Sequence, residues 1–168
     1  IDEKYKNYNP VSFDTEYSLE NICTDFRLFA AKELNLYYDL KTVRLFFSAF
    51  AVSRIIVLQG ISGTGKTSLP YAVGKWLGND ATVVSVQPFW RDRSEIFGYF
   101  NEFTKKYNET ELLKQMYEAR YRNELFLTII DEANIARVEY YFAEMLSVLE
   151  MPSADDWVVD ITSNSWAN

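Results

Sequence analysis

The chain is 168 residues long, 48 % apolar and 17 % aromatic, and its 17 Lys and Arg stand against 24 Asp and Glu for a net charge of −7. That apolar content suffices for one compact core and argues against a disordered or fibrous chain. Histidine is absent, which excludes a Ser-His-Asp triad, a Cys-His pair and any His-containing zinc site, and the lone Cys23 closes no disulfide within the chain.

A reducing, cytoplasmic setting fits that cysteine usage best. The longest uncharged apolar stretch near the middle, Leu45 to Ser53, is far short of the roughly 20 residues that span a bilayer, so no membrane association is expected. The opening IDEKYKNYNP is charged and does not read as a signal peptide, and a first residue of Ile suggests a trimmed chain. The acidic balance disfavours the whole surface as a polyanion binder and leaves room only for a local basic patch.

In chain order, the polar stretch to about Thr15, with Asn9-Pro10, reads as an arm. Ser18 is an N-cap candidate for a helix carrying Ile22, Phe26, Phe29, Ala30 and Leu34 on one face. Asp39 caps a second predicted helix, with Leu40, Val43, Phe46, Phe47 and Phe50 in register, ending near Ser53. The run IIVLQ within Arg54 to Gln59 predicts a strand buried on both faces. A glycine-rich turn follows, then a helix from Lys66 to Leu77 stopped by Gly78, then ATVVSV as a second buried strand.

The aromatic and basic stretch from Gln87 to Glu109 has no clean period and reads as loop-rich, ahead of a helix from about Glu109 bearing Leu112, Leu113, Met116, Tyr117 and Tyr121. LFLTII, Leu125 to Ile130, is a third buried strand, and Val138, Tyr141, Phe142, Met145, Leu146 and Leu149 mark an amphipathic helix after it. WVVDITSN near the end reads as one more strand or half of a hairpin. Alternating strands and helices imply an α/β fold, a mainly parallel sheet with helices on both faces.

Residues 60 to 68, GISGTGKTS, satisfy G-x-x-x-x-G-K-[ST] between a predicted strand and a predicted helix, the setting that a phosphate-binding P-loop requires. Glycines let the backbone wrap an anion with its amides inward. Gly60, Ser62, Gly63, Thr64, Gly65, Lys66, Thr67 and Ser68 are therefore the nucleotide-binding candidates. Lys66 reaches the β- and γ-phosphates, and the Thr67 hydroxyl binds Mg²⁺. The positive end of the following helix favours the same charge.

LTIIDEAN has the form of a Walker B segment. In an open α/β sheet ligands sit at the carboxyl ends of the strands, so Asp131 is placed to hold Mg²⁺ and Glu132 to polarise the attacking water as catalytic base. The plainer alternative is two solvated carboxylates capping the next helix. Gln87, at a strand end, is a γ-phosphate sensor candidate or a polar side chain bonded to its own backbone. Tyr37, Tyr38 and Asp39 either border the nucleotide base or pack in the core. Phe89-Trp90-Arg91-Asp92-Arg93 with Lys105 and Lys106 either contacts nucleic acid or a partner, or packs its aromatics and pairs its charges.

With these motifs and the intervening VQPFWRDRSEIFGYFN, the chain from about Leu36 to Glu150 resembles the AAA+ ATPases, in particular their McrB-like branch. That branch shares a GxxGxGKT loop and a strand ending in Asp-Glu, followed by Ala or Ile and then Asn, here Asn134. The resemblance implies a three-layer P-loop NTPase core over residues 36–168, incomplete at its C-terminal end, with residues 1–35 as an arm and helix. It carries over Lys66, Thr67, Asp131 and Glu132 as phosphate binder, two metal ligands and base. It further implies an ATP-hydrolysing motor, with GTP possible, that moves or remodels a macromolecule, with DNA and a restriction-type nuclease as partners by analogy alone.

No sensor-1 strand, arginine finger or helical lid is identified, and WVVDITSN is similar to the hairpin that precedes sensor 1 in that family. The family's missing central strand implies a homo-oligomer whose open strand edges are covered by another copy. The rival function is a nucleotide-dependent assembly or binding module without productive hydrolysis.

Overall fold

The computed structural model describes residues 3–10, 17–61 and 63–161. The chain divides into two compact units, Ile1–Ala81 with Arg122–Ile129, and Thr82–Tyr121 with Ile130–Asn168. Each has its own apolar core.

In the first unit α1 (Leu19–Glu33) and α2 (Leu40–Val52) begin where the capping residues predict. Ser18 Oγ accepts from the Asn21 amide at 3.2 Å, and Asp39 Oδ1 from the Thr42 amide at 2.9 Å. The third helix, α3 (Ser68–Trp76), follows the glycine-rich turn, and the chain leaves it through Gly78 with φ +73°. Pro70 stands in its first turn, where a missing N–H is tolerated, and the Leu69→Gly65 and Tyr71→Thr67 main-chain bonds on either side carry the helix through.

Phe26 is the hub of this core. It stacks on Tyr38 (centroids 6.0 Å apart) and meets Phe47 and Trp76 edge-on at 5.5 and 5.9 Å. Val43, Leu69, Val73 and Leu127 complete it. Cys23 is wholly buried beside Phe26, and burial pushes its thiol up, which makes it an inert packing residue. The N-terminal arm is tied down at Tyr8, whose hydroxyl donates to a Glu124 carboxylate oxygen at 2.6 Å and lies 2.7 Å from Asn123 Oδ1.

The second unit holds β1 (Thr82–Ser85), α4 (Ser94–Phe97), the antiparallel hairpin β2 (Gly98–Asn101) and β3 (Lys106–Glu109), and α5 (Glu111–Glu118). After β4 (Thr128–Asp131) come α6 (Val138–Tyr141), α7 (Ala143–Leu149) and a short 3₁₀ turn, Ala154–Asp156. β1 and β4 form a parallel two-stranded sheet; β4 enters this unit after Ile129, and the Val86 amide donates to the Asp131 carbonyl at 3.1 Å. Trp90, Ile96, Phe97, Leu112 and Tyr141 are the buried centre, with Trp90 edge-on to Tyr141. The architecture is thus α/β with a parallel strand pair.

Four expectations need correction. Arg54 to Gln59 is neither a strand nor buried: Val57 is 85 % exposed, and only Ile56 packs on the first core. A strand is stabilised by the neighbour that takes up its amides and carbonyls, and among the described residues no strand pairs with this one. The stretch expected to be loop-rich contains the β2–β3 hairpin, with register Gly98↔Glu109 to Asn101↔Lys106. The predicted helix over Val138 to Leu149 is broken at Phe142, whose φ is −123°. Trp157 to Ile161 is irregular, and Thr162 to Asn164 of the expected last strand lie outside the described residues. Among the described residues no helix is long and apolar enough to cross a membrane.

Candidate functional site

The glycine-rich loop belongs to the first unit. Gly63 and Gly65 adopt φ of +80° and +87°, a region that side chains with a Cβ occupy at a cost, so the motif's glycines stand where the turn needs them. Thr64 Oγ1 donates to the Ile61 carbonyl at 2.8 Å, and Lys66 Nζ donates to the same carbonyl at 2.6 Å. The loop is therefore closed on itself, with its ammonium folded over the turn and both side chains exposed enough to exchange partners. Thr67 is the residue before α3 and makes no side-chain cap to it. Ser62 lies outside the described residues.

Behind the loop stands Tyr38. Its hydroxyl is 2.9 Å from Ser68 Oγ, and Ser68 Oγ is in turn 3.3 Å from the Gly65 carbonyl, which also accepts from the Leu69 amide at 2.9 Å. A Cβ at Gly65 would lie 3.4 Å from Tyr38 Cε1 and 3.4 Å from Ser68 Oγ. Arg27 Nε fixes the Tyr38 carbonyl at 2.9 Å, and burial pushes the phenol pKa up. Of the three residues weighed as border of a base, Tyr38 reaches the loop, Asp39 caps α2, and Tyr37 is 78 % exposed.

Asp131 ends β4 and Glu132 follows it in the second unit. Glu132 has φ +55°. A non-glycine residue there is strained by about 1–3 kcal/mol, and such strain persists where the surroundings over-determine it. Two contacts do so: the Ile135 amide donates to the Glu132 carbonyl at 3.0 Å, and the buried Tyr141 hydroxyl donates to the Ala133 carbonyl at 2.7 Å. Glu132 is exposed and Asp131 half-buried, so the segment presents its acids rather than sealing them in the core.

Of the other candidates, Trp90 packs and Asp92, Arg93 and Lys105 find polar partners, while Phe89 is 65 % exposed and Arg91 is exposed. Gln87 Nε2 donates to the Ser85 carbonyl at 3.3 Å, the local backbone bond weighed for it. Asp92 accepts from the Ser94 amide at 2.7 Å, and Arg93 pairs with Glu144. Lys105 pairs with Glu102 at 2.8 Å beside the hairpin tip, where Phe103 is 99 % exposed. Arg91 lines a shallow groove of about 450 Å³ with Trp90, Ile135, Arg137 and Tyr140.

The donors proposed for a metal, the Thr67 hydroxyl and the Asp131 carboxylate, are hard oxygens of the kind Mg²⁺ takes, with phosphate oxygens and water supplying the remainder. Among the described residues no cluster of three acidic, Cys or His side chains could hold a metal by itself. The Thr67 hydroxyl belongs to the first unit and the Asp131 carboxylate to the second. The contacts of Tyr38 and Tyr141 escape sequence reasoning, since each joins residues by a fold rather than by spacing. Comparison of the chain with protein-family models, with curated proteins and with solved structures found no match to any of them.

Proposed function

We propose that this chain binds a nucleoside triphosphate with Mg²⁺ and hydrolyses its γ-phosphate, as the core of an AAA+ motor of the McrB-like kind. The observation that carries the reading is the loop from Gly60 to Ser68: two left-handed glycines, a lysine folded over the turn, and a helix beginning immediately after. Backbone amides at such a turn and at a helix N-terminus favour a phosphate, and Lys66 is free to exchange the Ile61 carbonyl for phosphate oxygens.

Thr67 and Asp131 would hold the Mg²⁺, which when bound neutralises charge developing on the phosphates. Glu132 acts as the base that orients water, in a backbone conformation held by Tyr141 and Ile135. ATP is the default substrate and GTP the alternative, since no guanine-specific NKxD signal is present in the sequence. Oligomerisation through the exposed apolar segment around Val57, a nuclease partner and DNA belong to the same proposal.

The test is Glu132→Gln. A hydrolase retains nucleotide affinity and loses turnover of phosphate release. A chain in which the substitution changes neither, with wild-type turnover no faster than buffer, is the assembly module and refutes hydrolysis.

A further inference from the structure

Tyr38 sits thirty positions before Ser68, yet it touches the end of the glycine-rich loop, and two contacts with α1 hold it there. Its ring is stacked on Phe26 at an interplanar angle of 17°, its carbonyl accepts from Arg27, and its hydroxyl meets Ser68 Oγ. Ser68 Oγ is placed between that hydroxyl and the Gly65 carbonyl. The relay therefore runs Tyr38 to Ser68 to Gly65, with the Tyr38 hydroxyl donating to Ser68 when Ser68 donates to Gly65.

The consequence follows from peptide geometry. In a trans peptide the C=O of one residue and the N–H of the next point in opposite directions. No cis bond is present. The Gly65 carbonyl is drawn toward α3 by the Leu69 amide and by Ser68 Oγ, so the Lys66 N–H is turned the other way, out of the helix and toward the loop. Gly65 has no Cβ to hold that plane, and at φ +87° it rotates more freely than any other residue type would.

We propose that Tyr38 is a positioning residue for phosphate binding: through Ser68 it fixes the Gly65–Lys66 peptide plane so that the Lys66 amide faces the anion. The inference rests on the triphosphate reading given above and adds to it a residue outside the glycine-rich motif. It also makes the α1–α2 linker, which carries Tyr38 and is anchored by Arg27, part of the nucleotide site.

The test is equilibrium binding of fluorescent ATP and GTP analogues with Mg²⁺ to the full chain, at a temperature where every variant is folded by circular dichroism. Tyr38→Phe keeps the ring and its stacking on Phe26 and removes only the hydroxyl. It should weaken binding by about 3- to 10-fold, the range expected for one neutral hydrogen bond. Ser68→Ala should weaken it at least as much, and adding Tyr38→Phe to Ser68→Ala should cause no further loss, because the two act in series. Ser68→Thr, which keeps the hydroxyl, should restore binding.

A purely structural tyrosine would lower the unfolding midpoint and leave the affinity of the folded protein unchanged. Wild-type binding with an unaltered Tyr38→Phe constant overturns this inference and leaves the triphosphate reading intact. Additive losses in the double variant overturn the relay. Wild-type chain that binds neither analogue overturns the triphosphate reading, and this inference with it.

Discussion

Gly65→Ala places a methyl group on the residue at which the loop turns into α3. The native φ is +87°, and a Cβ in the left-handed region costs roughly 1–2 kcal/mol. Alanine recovers part of this, about 0.4–1 kcal/mol, by reducing the freedom of the unfolded chain. The new Cβ would touch Ser68 Oγ and Tyr38 Cε1, both at 3.4 Å, close enough to crowd the Tyr38–Ser68 contact without forcing a clash. The net expectation is a loss of about 1 kcal/mol of stability, read as a lower urea midpoint, and nucleotide binding weakened by about 10-fold or more because relaxation rotates the peptide that aims the Lys66 amide.

Gly63→Ala is the matched control. Its φ is +80° and nothing lies within 4 Å of the added carbon, so it carries the conformational cost without the contact with Tyr38 and Ser68. Tryptophan fluorescence in urea gives stability, and fluorescent-nucleotide titration gives affinity. If Gly65→Ala binds nucleotide as tightly as the wild type, or no more weakly than Gly63→Ala, the reasoning from loop geometry fails.

Gly98→Ala should be the most destabilising glycine substitution, because φ is +93° and the added Cβ would fall 1.9 Å from the Asn108 carbonyl oxygen. The hairpin must open, and a urea midpoint no lower than that of Gly63→Ala would refute this. Tyr141→Phe removes the donor to the Ala133 carbonyl and should cost about 1 kcal/mol of stability, while slowing hydrolysis with little effect on nucleotide affinity; equal loss of both would show that Glu132 is not positioned this way. Hydrogen bonds from Thr42, Ser94 and Tyr8 hold the carboxyls of Asp39, Asp92 and Glu124 below their ordinary values. A depressed folded pKa contributes stability that is complete above the unfolded value near 4 and is lost as pH falls through the folded one. Melting temperature should therefore be flat from pH 7 to about 5 and drop below about 4, and equal melting at pH 3 and pH 7 would contradict the assignment.

The helices were legible where local chemistry decides. Ser18 and Asp39 supply the caps, and the apolar spacing behind each matches the buried Phe26, Ala30, Val43 and Phe47. The β-branched runs marked β1 and the second half of LFLTII, which becomes β4, although Leu125 to Leu127 stay outside the strand and Val83 of β1 is 43 % exposed rather than buried. The glycine spacing placed Gly63 and Gly65 in left-handed turns. The run from Arg54 to Gln59 shows the limit of such reading. Its composition states what a strand would be made of, whereas a strand forms only where another takes up its main-chain groups.

The β2–β3 hairpin was hidden for a different reason. Its turn has no Asn-Gly pair; instead Asn101 Oδ1 accepts from the amides of Phe103 and Thr104 at 3.0 and 3.1 Å, and Lys105 takes φ +53°. Asn101 at the strand end was the available signal. The residue types of the glycine-rich loop, and separately of Asp131-Glu132, were readable from spacing. The contact between Tyr38 and Ser68, thirty positions apart, arises only when distant segments pack, whereas the conformation of Glu132 is held by the Ile135 and Tyr141 bonds within its own segment.

Triphosphate binding at the Gly60–Ser68 loop is tested most directly by titrating the wild-type chain and Lys66→Ala with fluorescent ATP and GTP analogues, with and without Mg²⁺. The account predicts saturable binding that Mg²⁺ strengthens and Lys66→Ala abolishes, with the preferred base identified by the tighter analogue. Absence of binding to a folded wild-type chain, or binding that Lys66→Ala leaves unchanged, would contradict it.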